Sequence, residues 1–158
     1  MDAVRLIQAG RRALAGCGGE TSVLLVEVWQ AQALSQAIGS RLAVSGPPEL
    51  RGEALGLTEL AGRGCGVLDA PVLDPGDLLA AQLTELDDPL GALHSLDDLL
   101  GDVSIVLLGI ASSAAEERTY WQCMEAIDAA DESRDRVREM LRKLAAREEA
   151  ALPEWEAG

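Results

Sequence analysis

Toward the C-terminus, apolar or small residues recur at Tyr120, Met124, Ile127, Ala130, Val137, Leu141 and Leu144, in three- and four-residue steps. That is the period of a helix face packed against another helix. The spacing predicts one long, heavily charged amphipathic helix over Tyr120–Arg147. Beside the stripe, displaced by about 100° around the axis, runs an acidic line: Glu125, Asp128, Glu132, Asp135 and Glu139.

The same reading gives two helices at the start of the chain. Asp2 can cap a first helix to about Ala15, with Val4, Ile7 and Leu14 on one face, and Gly16, Gly18 and Gly19 stop it. Thr21 or Ser22 can cap a second helix to about Val44. Its stripe of Leu24, Val28, Ala31, Leu34, Ile38 and Leu42 is widened by Leu25 and Trp29, as befits a central helix with several neighbours. The β-branched cluster Val23–Val28 would also suit a strand. The alanines and glutamines that follow favour the helix.

Residues 45–76 change character, with seven glycines and four of the six prolines. They predict a long Gly/Pro-rich connection carrying at most a short helix near Glu49–Ala61. Gly62-Arg63-Gly64-Cys65-Gly66 lacks the Gly-Lys-Ser/Thr ending of a phosphate-binding loop and reads as flexible chain.

Helical patterning resumes at Asp74-Pro75. Leucines at 79, 83, 86, 90, 93, 96 and 100 keep a helix-like period straight through Asp88-Pro89. Because proline is costly inside a helix, this implies a kink or two helices, with Asp87 or Asp88 capping the second. Gly101-Asp102 marks the end of that unit. The uncharged run from Val103 to Ala115 is thirteen residues, too short to span a bilayer and suited to a buried helix. Two arrangements remain for 103–150, one helix or two. Residues 153–158 form a frayed tail in which Trp155 either docks back or hooks a partner.

Together these elements predict an all-α single domain over residues 1–152, an irregular bundle of four to six helices with a long C-terminal helix. At 158 residues and 48% hydrophobic, the chain can bury a core without disulfides or metals. That core must be aliphatic, since phenylalanine is absent and the aromatics are Trp29, Trp121, Trp155 and Tyr120.

The net charge of −14 excludes nucleic acid as a partner, because phosphate neutralisation dominates such binding. It argues equally against an anionic membrane surface. Residues 1–16 carry Asp2, Arg5, Arg11 and Arg12, which interrupt any signal-peptide core. Cys17, Cys65 and Cys123 are odd in number and far apart, as expected of reduced thiols in a cytoplasmic protein.

Candidate chemistry centres on Glu125, Asp128 and Glu132, three carboxylates on one helical edge. They could hold Mg²⁺ if a second helix adds Glu85 with Asp88, or Asp97 with Asp98. Such facing pairs resemble the arrangement in all-α nucleoside-triphosphate pyrophosphohydrolases, although the upstream E-x-x-E of that family is missing. The simpler reading is a solvated face, with Glu132–Arg136 and Glu139–Lys143 at favourable i,i+4 spacing. Arg134 falls on the apolar stripe and either pairs with Asp131 or reaches out along its aliphatic stem. His94, the single histidine, has Asp98 one turn away and reads as a partly exposed helix residue. Cys123 lies among acids that would not lower its pKa, so it reads as a buried structural thiol. Tyr120 and Trp121 beside it are candidate interface anchors.

The segment Tyr120-Trp121-Gln122-Cys123-Met124-Glu125-Ala126-Ile127-Asp128-Ala129-Ala130-Asp131-Glu132-Ser133, with the Arg- and Ala-rich opening, resembles an uncharacterised family of small actinobacterial proteins. The resemblance implies an all-helical fold but no activity, cofactor or site residue. The residues therefore predict a non-enzymatic helical interaction or scaffold protein that pairs with itself or another protein through the C-terminal helix. The alternatives are a Mg²⁺-dependent nucleotide phosphohydrolase and an acidic mimic of nucleic acid. No catalytic, metal or cofactor residue is assigned.

Overall fold

A computed structural model describes residues 1–151, and Trp155 with the rest of the predicted tail lies outside them. Among the described residues the chain forms five α-helices and no strand: α1 (Ala3–Gly16), α2 (Thr21–Ser45), α3 (Arg51–Gly66), α4 (Pro89–Ser113) and α5 (Glu117–Ala151). None is long and apolar enough to cross a membrane. α2 packs against α1, α3 and α4, while α5 lies along α3 and α4.

The starts of α1 and α4 follow local chemistry, whereas α2 begins at Thr21 after Glu20 with no side-chain cap. The Asp2 carboxylate accepts from the Val4 N–H at 3.1 Å, and α1 ends at a turn where Gly18 and Gly19 take φ of 63° and 86°. The Asp88 carboxylate accepts from the Gly91 N–H at 2.9 Å, and Pro89 opens α4, where its missing N–H costs nothing. Val28, Ala31, Leu34, Ile38 and Leu42 of the α2 stripe are all buried, as the pattern required.

Four sequence expectations are corrected. First, α3 is a sixteen-residue helix that continues through Gly62–Gly66, the stretch read as flexible chain. Its glycines make room for α2. A Cβ at Gly64 would lie 2.7 Å from the Gln32 amide, and one at Gly39 would lie 2.7 Å from the Thr58 hydroxyl. Close backbone approach supplies packing that offsets glycine's poor helix propensity.

Second, the leucine period before Pro89 is not an α-helix. Residues 67–88 form an extended strap with two short 3₁₀ turns, Pro75–Asp77 and Ala80–Gln82. Backbone groups that a helix would satisfy internally are taken from outside. The Met1 amine donates to the Gln82 carbonyl at 2.5 Å, and the Ala3 N–H donates to the Glu85 carbonyl at 2.9 Å. The Gln30 side chain donates to the Asp77 carbonyl at 2.9 Å and accepts from the Leu79 N–H at 3.0 Å. Leu79, Leu83 and Leu86 still pack on the core, now from the strap.

Third, α4 passes unbroken through Gly101-Asp102 and ends at Ser113. Gly101 is a notch, since a Cβ there would lie 3.1 Å from the Arg134 guanidinium. Residues 103–113 thus close α4, and α5 begins separately at Glu117.

Fourth, the buried seam of α5 is Cys123, Ala126, Ala129, Ala130, Ser133, Val137 and Met140. Ala130 and Val137 of the predicted stripe lie in that seam, whereas Met124, Ile127, Leu141 and Leu144 are half-buried along its edge and Tyr120 is exposed. Small residues at the seam bring α5 close to its neighbours, and the larger side chains close the edges.

Candidate functional site

The carboxylates singled out from sequence are dispersed among basic partners. Glu132 accepts from Arg63 of α3 at 3.2 Å, and Asp131 accepts from the Ser104 hydroxyl at 2.8 Å. Glu139 is held by Arg142 one turn on, which lowers its carboxyl pKa. Glu125 and Asp128 are exposed. The facing carboxylates are engaged elsewhere: Asp88 caps α4, Asp98 stands 3.8 Å from Arg11, and Asp97 receives both Arg134 at 2.7 Å and Arg138 at 3.1 Å. Among the described residues no group of three potential ligands converges on a point that could hold a metal.

Arg134 therefore pairs with Asp97 across the α4–α5 contact rather than with Asp131 on its own helix. A cavity of about 500 Å³ between α3 and α5 holds Glu53, Glu59, Glu132, Asp135 and Glu139 with Arg136 and Arg142. It is laced by ion pairs. Glu53 takes Arg136 at 2.9 Å, a hydrogen bond that raises the guanidinium pKa further, and lies 3.8 Å from Lys143.

The thiols are structural. Cys123 is fully buried, and burial raises its pKa. Cys65 donates to the Trp29 carbonyl at 3.6 Å, and burial pushes its pKa up to about 12. Both lack the thiolate character a nucleophile requires. His94 is exposed on the outer side of α4. Tyr120 and Trp121 stack edge-to-face, 5.1 Å between centroids, with Trp121 56% exposed.

The surface that sequence reasoning missed is the outer face of α4. The uncharged run Val103–Ala115 is only half buried: Val103, Leu107, Ile110 and Ala111 face the core, whereas Ile105 is 73% and Leu108 56% exposed. At about 100° per residue, Ile105 and Leu108 share a face with His94, Asp98 and Ser112, which was the available signal. The face is bordered by α1 on one side and α5 on the other. Two cavities open beside Ile105 and Val106. One of about 430 Å³ is shared with Arg11, Arg12, Leu14 and Ala15, and one of about 240 Å³ with Gly19, Thr21, Leu24 and Gly109.

A family model described as a family of unknown function, DUF6099, matches residues 1–143. The chain belongs to that family. Neither the curated proteins nor the solved structures contain a match to it.

Proposed function

We propose that this is a non-enzymatic helical interaction protein of the cytosol, docking a protein partner on the uncharged outer face of α4. One observation carries the reading: Ile105 and Leu108 stand exposed in a thirteen-residue stretch without a charge, on a chain whose net charge is −14. Contiguous exposed apolar surface on a soluble domain marks interaction sites. The two cavities beside Ile105 and Val106, on the α1 and α2 flank of α4, offer concave seats into which interface side chains insert. The surface is thus moved from α5, where the sequence suggested it, to α4. Three free thiols without a disulfide are consistent with a reducing compartment.

The Mg²⁺-dependent alternative has less support, because Glu132 is engaged by Arg63 and Asp97 by Arg134 and Arg138. The nucleic-acid mimic also has less support, because the acids of α5 alternate with arginines. The test is a photo-crosslinking residue at Leu108 in living cells, with Asp135 as the control position. A discrete protein adduct at 108, absent at 135 and lost on Ile105→Arg, is expected. Equal or absent labelling at both positions would sink the proposal.

A further inference from the structure

Resting on the docking reading, we propose that the occupant of the α4 face is a second copy of this chain, related by a two-fold axis running along α4. The borders of the face carry opposite charge. α1 contains Arg5, Arg11 and Arg12 and no acid, and neither Arg5 nor Arg12 makes an ion pair among the described residues. Across α4, level with Arg12, the solvent side of α5 presents Asp128 and Asp131, both exposed.

Symmetry then selects the arrangement. A two-fold axis along α4 sets α1 of each copy over α5 of the other, basic border on acidic border. An axis across α4 sets α1 over α1 and α5 over α5, and like charges facing each other are unfavourable. The heights along α4 agree with the first. α1 runs parallel to α4, with Gly10 near Leu99 and Arg11 on Asp102. α5 runs antiparallel, with Asp97 on Arg138, Gly101 on Arg134 and Ser104 on Asp131. Arg12 therefore stands level with Asp131 and, in the pair, over Asp128 and Asp131 of the other copy. The seam is Ile105, Leu108 and Ser112, each against itself and free of the net negative charge that would separate two copies. Asp98 also meets its own copy, with Arg11 beside it at 3.8 Å to offset the repulsion.

Sedimentation velocity on the intact chain, from low micromolar to several hundred micromolar, tests this. The expected result is a concentration-dependent dimer, weakened about tenfold or more by Ile105→Arg with unchanged circular dichroism. Arg12→Glu weakens it too, and adding Asp128→Arg to that variant restores it. In a Cys17→Ser background, Leu108→Cys and Ser112→Cys should each form a disulfide with their own copy, because an axis along the helix brings every seam residue onto itself. A monomer throughout the range would overturn the second copy, while the crosslink at Leu108 would still report on docking. A dimer indifferent to Ile105→Arg would overturn both. Self-crosslinking at only one of the two cysteine positions would overturn the axis.

Discussion

The side chain of Gln30 in α2 holds the backbone of Leu79 in the strap as a neighbouring strand would. Its carbonyl accepts from the Leu79 N–H at 3.0 Å, and its amide donates to the Asp77 carbonyl at 2.9 Å. Gln30 is only 7% exposed, so neither bond is readily replaced by water. A leucine-bearing strap is thereby docked on the bundle without secondary structure of its own.

Gln30→Ala should destabilise the protein by about 1–3 kcal/mol, the cost of leaving buried donors and acceptors unmade. Urea unfolding measures the loss. Limited proteolysis should show cleavage within residues 67–88 before any within α2. A variant that loses stability without that selective cleavage would contradict the clamp.

Two glycine substitutions inside helices should have opposite signs. A Cβ at Gly39 would lie 3.0 Å from the Ala54 carbonyl oxygen and 3.1 Å from the Thr58 nitrogen, backbone atoms of α3 that cannot turn aside. Gly39→Ala should therefore cost about 1–3 kcal/mol through overpacking. Gly109 in α4 has nothing within 4 Å of that position, so Gly109→Ala should stabilise by up to about 1 kcal/mol. Thermal melts of both variants decide the matter.

Asp97 and Arg134 form a partly buried pair, 20% and 32% exposed at the side chain, with Arg138 as a second donor. Because Arg134 lies over Gly101, removing Asp97 leaves the guanidinium in a notch without its acceptor. A double-mutant cycle between Asp97→Ala and Arg134→Ala should give a coupling of about 0.5–2 kcal/mol. Arg63 with Glu132, about half exposed on both sides, should give less than about 0.5 kcal/mol.

Burial raises the pKa of Glu27 above the 4.5 usual for a glutamate carboxyl. Folding therefore favours the protonated acid: this stabilising contribution is complete below pH 4.5 and is lost as pH rises through the folded value. At neutral pH the half-buried charge is a liability. Glu27→Gln should raise the melting temperature at pH 7, and the two proteins should converge as the pH falls below about 4. A constant difference across that range would rule out the charge as its cause.

Burial raises Cys65 from 9.0 to about 12, which gives a limb at the other end of the pH scale. The thiol form is favoured in the fold, so its contribution is complete below pH 9 and is lost between there and pH 12. Stability should fall in that window more steeply in the parent than in Cys65→Ala, as chemical denaturation at stepped pH would show.

The sequence by itself determined α1, α2 and the existence of α5, because each carries its own start signal or a continuous stripe of large apolar residues. Asp2 before Ala3 and Asp88-Pro89 before Leu90 act within a few residues, so those helix starts needed no tertiary partner. Only the tertiary structure decided the rest, wherever the informative residue was small or its partner distant. Gly39, Gly64 and Gly101 look like helix breakers in isolation, yet each is the space a neighbouring helix fills. The α5 seam of Cys123, Ala126, Ala130 and Ser133 has little apolar bulk to announce it, so the larger residues at its edges set the wrong phase. The strap leucines hold a helical period but are straightened by bonds from Met1, Ala3 and Gln30 that no local pattern contains. The exposure of Ile105 follows from α1 and α5 lying beside α4 rather than over it. A helix's own period names its apolar face, but only its neighbours determine how much of that face is covered.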